Sequence, residues 1–125
     1  MNDINDILKK INIEEFIWII YLIIIYLSFY SNKLERKYYL YDDHKAKNTY
    51  RNINIIIFFI AFLVYIYFFI DGYKSINNLS IYDDSFKRFL NEISFVASTL
   101  ILIAGSIFLF IAIYDINLDT EIAFS

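Results

Sequence analysis

The sequence predicts an all-α fold, a small integral membrane protein with three transmembrane helices and a short N-terminal amphipathic interfacial helix. Three observations carry this expectation. The chain of 125 residues is 59% hydrophobic with a mean hydropathy of +0.50, whereas soluble domains are about 45–50% apolar. Its apolar residues are gathered into three stretches without a charge: residues 16–32 (17 residues), 52–70 (19 residues) and 93–114 (22 residues). As helices these reach roughly 25, 28 and 33 Å, against a hydrocarbon thickness of about 30 Å. The remaining segments are too short and too charged to wrap three uniformly apolar helices, as a soluble fold would require. Runs of this length without proline or polar alternation also suit helices better than buried strands.

The elements follow in order within one domain, 1–125. Residues 2–11 place Ile4, Ile7, Leu8 and Ile11 at helical spacing, with Asp3, Asp6, Lys9 and Lys10 on other faces. This pattern predicts a helix lying in the headgroup region. Asn12 and Glu15 then have the spacing of a capping box that would start the first span, at about 14–32. Trp18 and Tyr21 near that end, and Tyr30 at the other, fit interfacial belts. Glu14 and Glu15 are adjacent and do not face one another, so anions favoured at a helix N-terminus explain them better than an acid–base pair. The first apolar run is long and lacks a small-residue cleavage site after it, so it is expected to remain as its own targeting signal.

Residues 33–51 separate the first two spans with six Lys or Arg, three acids and the single histidine. Asp42 and Asp43 are good helix starters, which predicts a second helix from about residue 43 into a span at 52–70. The second connection holds Gly72, Asn77 and Asn78, then Asp83, Asp84 and Ser85 as N-cap candidates. A third helix would start outside the bilayer and enter it as a span at about 92–114, followed by an acidic tail, 115–125.

Small residues are concentrated in the third span. Ser94, Ala97, Ser98, Ala104, Gly105 and Ala112 are expected along one stripe, the heptad spacing of Ser98, Gly105 and Ala112 matching a shallow left-handed crossing. Small residues let helices approach closely in lipid, where the hydrophobic effect does not drive association. The stripe would pack either against the protein's own helices or against another copy. Ser94 and Ser98 facing Gly105 would alternatively line a narrow pore.

The basic residues Lys33, Arg36, Lys37, Lys45, Lys47 and Arg51, interleaved with tyrosines, suit lipid headgroups and topology setting. Three interspersed acids argue against nucleic acid as the partner. Counting Lys and Arg gives 6 against 5 in favour of a cytoplasmic first connection, with Lys33, Arg36, Lys37 and Arg51 close to the membrane adding weight.

The spans hold no ionisable Asp, Glu, Lys, Arg or His at mid-depth, against the chemistry of proton relays, coupled transport or voltage sensing. No cysteine is present, which removes disulfides and thiolate chemistry. His44 beside Asp42 and Asp43 fixes no metal geometry, and neither a phosphate loop nor a nucleotide fingerprint is found. No catalytic residue, metal, cofactor or small-molecule substrate is therefore expected. Twenty-seven isoleucines, eleven asparagines and twelve tyrosines beside no proline reflect an AT-rich coding bias, consistent with a bacterial inner membrane or an organelle membrane. The leading expectation is a non-enzymatic multi-pass subunit that packs through its third span with itself or a larger membrane complex. The alternative is a small homo-oligomeric pore, of holin or toxin-effector type, that permeabilises its membrane.

Overall fold

The computed structural model describes residues 2–77 and 84–115. They form three helices, α1 (Asn2–Tyr41), α2 (His44–Asn77) and α3 (Ser85–Tyr114), with no strand among the described residues. All three are long and apolar enough to cross a membrane. Asn78, Asp83 and the tail beyond Asp115 lie outside the described residues.

The separate interfacial helix is corrected by the structure. Residues 2–11 are the first turns of α1, which runs unbroken for 40 residues, about 60 Å. Nothing between Ile11 and Phe16 is a glycine or proline. Asparagine inside a helix costs only a few tenths of a kcal/mol more than a good helix former. Breaking the helix at Asn12 would instead free a set of backbone donors and acceptors on each side. Ile4, Ile7, Leu8 and Ile11 remain exposed on this extension.

The connection expected over residues 33–51 is helical on both sides of a two-residue turn, Asp42–Asp43. Asp42 sits at φ 53°, the left-handed conformation that ends helices and that Asp tolerates better than most residues. Asp43 then starts α2: its Oδ1 accepts from the amides of Lys45 (3.0 Å) and Ala46 (3.2 Å). Gly72 and Asn77, read as turn residues, lie within α2.

The chain forms two compact units, Met1–Ile57 and Phe58–Ser125, and α2 contributes to both. In the first, α1 and the opening turns of α2 make an antiparallel hairpin, with Ile17, Ser31, Ala46, Tyr50 and Ile57 buried. In the second, the rest of α2 pairs with α3, with Val64, Gly105 and Ala112 buried. Asp84 caps α3, its carboxylate accepting from the Phe86 amide at 3.4 Å and its carbonyl from the Arg88 amide at 3.1 Å.

Candidate functional site

On α3, the 3–4 spacing of a helix that packs on one side sorts the residues into three registers. The inward register holds Phe95, Ser98, Leu102, Gly105, Leu109 and Ala112, all buried or half-buried. An adjacent register holds Ser94, Ala97, Ile101 and Ala104, all exposed. The third is bulky and exposed throughout: Ile93, Val96, Leu100, Ile103, Ile107 and Phe110. The small residues expected as one stripe thus occupy two registers, Ser98, Gly105 and Ala112 turned inward and Ser94, Ala97 and Ala104 outward. The six span about 120° of helix surface at 100° per residue, wider than one packed seam.

Both glycines of the chain receive an aromatic ring from the facing helix. A Cβ on Gly105 would stand 2.6 Å from Cδ2 of Tyr65, and one on Gly72 would stand 3.3 Å from Cδ2 of Phe95. Each helix offers one gap and one ring. Phe95 also meets Phe69 and Tyr73 at centroid distances of 5.2 and 6.2 Å, and Phe58 meets Phe108 at 6.2 Å. This reciprocal seating was not legible in sequence, where Gly72 read as a turn former. Two hydroxyls on α3 are satisfied locally: Thr99 donates to the Phe95 carbonyl and Ser106 to the Leu102 carbonyl.

The hairpin of the first unit contains a polar pair absent from the sequence reading. Ser31, 3% exposed, donates its hydroxyl to Oδ1 of Asn54 at 2.8 Å. Ser28 uses its own helix, donating to the Ile24 carbonyl. The serines and asparagines within the two charge-free runs, Ser28, Ser31 and Asn32 in the first and Asn52 and Asn54 in the second, are the sequence signal for such a link.

The six basic residues of the hairpin do not share one surface. Lys47 is half-buried with its Nζ 5.1 Å from the Tyr38 ring centroid, and the Tyr38 ring also meets His44 at 5.9 Å. Arg51 is half-buried with its Nε shielded from the surroundings. Lys45 is exposed. Lys33, Arg36 and Lys37 instead line an open groove of about 520 Å³ along α1, together with Tyr30, Leu34, Leu40 and Tyr41. Glu35 is half-buried and does not line it. Asp43 Oδ2 lies 3.5 Å from Lys37 Nζ.

The Asp43 carboxyl is held below its ordinary value of 3.8, chiefly by the Ala46 amide and further by the Lys37 charge and the Lys45 amide, while partial burial opposes them. His44 Nε2 stands 3.8 Å from Asp42 Oδ1, an ion pair only when the imidazole is protonated. Among the described residues no group of three His, Cys, Asp or Glu is placed to hold a metal. Trp18 is exposed on α1 and makes an edge contact with Tyr21, 5.7 Å between centroids. No protein-family model, curated protein or solved structure matches this chain.

Proposed function

We propose that this chain is a non-enzymatic, multi-pass membrane subunit that associates through the outward small-residue register of α3 with a second copy or a larger membrane complex. The observation that supports the reading is the division of the α3 surface. Ile93, Val96, Leu100, Ile103, Ile107 and Phe110 suit contact with acyl chains. Ser94, Ala97 and Ala104 leave a shallow strip beside them where another helix can come close.

Doubling the bulk of that strip tests the reading. Ala97→Leu with Ala104→Leu should shift the assembled protein in neutral detergent or nanodiscs toward a smaller species while leaving the helical content of each chain unchanged. Ile103→Phe, on the bulky register, should alter neither. A wild-type chain that is monomeric in both environments would remove association between copies. Co-purification of a second membrane protein, lost in the double variant, would then identify the larger-complex form. Rapid depolarisation of cells on induced expression would favour the pore reading, for which the exposed Ser94 supplies only a thin polar lining.

A further inference from the structure

We infer that the groove on α1 formed by Tyr30, Lys33, Leu34, Arg36, Lys37 and Leu40 is a binding site for the headgroup of an anionic phospholipid. The inference rests on the membrane-spanning reading and is independent of any association through α3.

Position supplies the first argument. Lys33 is the first charged residue after the charge-free run 16–32. The groove starts at Tyr30, inside that run, and ends at Tyr41, the last residue of α1. Over those residues the helix rises about 17 Å. It therefore crosses the level where acyl chains give way to headgroups, the depth preferred by the amphipathic rings of tyrosine.

Charge complementarity supplies the second. Read linearly, Glu35 sits among the basic residues and dilutes them. Folding separates them, because Glu35 is nearly opposite Lys33 and Lys37 in angular position on α1, at 100° per residue. The groove is lined by three cations and no acid. Lys37 shares its charge with Asp43, yet its side chain is 57% exposed, and so its ammonium retains open donor positions. Arg36 adds a planar fork suited to two phosphate oxygens. Leu34 and Leu40 supply apolar surface beside the cations for the glycerol and upper acyl region.

The test uses the full chain purified in neutral detergent, with native mass spectrometry reading the lipid retained from added phosphatidylglycerol or phosphatidylcholine of the same acyl chains. Phosphatidylglycerol should be retained selectively. Lys33→Gln with Arg36→Gln should weaken its retention by on the order of tenfold or more, at about fivefold per neutralised charge. Lys45→Gln with Lys74→Gln, an equal change in net charge at exposed positions outside the groove, should leave retention near wild type. Lys33→Arg with Lys37→Arg should preserve it. Equal retention of the two lipids by the wild-type chain, which involves no substitution, would overturn the proposal. So would equal losses in the groove and control variants, which would indicate diffuse attraction, or displacement of the lipid by millimolar inorganic phosphate, which would indicate an ion site. Extraction of the chain from membranes by alkaline carbonate would separately refute the membrane reading beneath it.

Discussion

At the scale of single residues, two polar contacts of the first unit carry measurable consequences. Ser31 and Asn54 join two helices where each would otherwise keep a polar group among apolar side chains, through a 2.8 Å hydrogen bond. Such bonds are worth about 0.5–1.5 kcal/mol in lipid because partners are also found in the unfolded reference state. A double-mutant cycle with Ser31→Ala and Asn54→Leu, read by denaturation in mixed micelles, should return a coupling of about that size. Ser31→Ala should be the costlier single change. It strands the Asn54 amide oxygen, whereas a Ser31 hydroxyl deprived of Asn54 can turn to a carbonyl four residues back, as Ser28 does. Asp43 gives a pH signature. Its carboxyl is depressed when folded, chiefly by the Ala46 amide, so its contribution is complete above the unfolded value and is lost as pH falls through the lower folded one. Wild-type thermal stability should therefore drop, on acidification below about pH 4, by more than that of Asp43→Asn, which keeps a cap but carries no charge. Equal acid sensitivity of the two proteins would assign the effect to other carboxyls.

At the scale of elements, the two glycines make opposite predictions from the same substitution. Alanine at Gly105 places its Cβ 2.6 Å from Tyr65, so the ring or the helices must move; overpacking of this kind costs about 1–3 kcal/mol. Alanine at Gly72 meets Phe95 at 3.3 Å, a contact relieved by a few tenths of an ångström, while the helix gains up to about 1 kcal/mol from replacing glycine. Gly105→Ala should lower the melting temperature, Gly72→Ala should leave it nearly unchanged, and adding Tyr65→Leu should recover part of the Gly105→Ala loss. These contacts also show what sequence could convey. The helical class and three apolar spans followed from charge-free length, and Asp84 was among the expected caps of α3, because both signals are local. The 40-residue length of α1 did not follow, since Asn12 and Glu15 have the right identities for a cap and only the unbroken helix reveals that neither serves as one. The division of the small residues between two registers was hidden because composition gathers them, while burial depends on which way each points. The separation of Glu35 from its basic neighbours has the same origin.

At the scale of the whole molecule, the basic hairpin sets a testable orientation. Lysine and arginine close to a span are retained on the cytoplasmic side, and Lys33, Arg36 and Lys37 follow directly on the charge-free run of α1. The hairpin turn is thus expected on the cytoplasmic side or its equivalent, with the N-terminus opposite. The helix α2, 34 residues and about 51 Å long, is long enough to carry its far end to the other face of a hydrocarbon layer about 30 Å thick. The absence of cysteine permits single-site reporters, and burial decides where they belong. Ala46 is 4% exposed, packed within the hairpin, so a cysteine there would resist reagent from either side. Asn48 and Asn77 are exposed near opposite ends of α2. A membrane-impermeant thiol reagent applied to intact cells should label Asn77→Cys and spare Asn48→Cys, with both reacting after the membrane is opened. Labelling of Asn48→Cys alone would invert the topology, placing the hairpin and its groove at the outer leaflet. Labelling of both in intact cells would mean that α2 does not cross the bilayer, and would contradict the three-span arrangement itself.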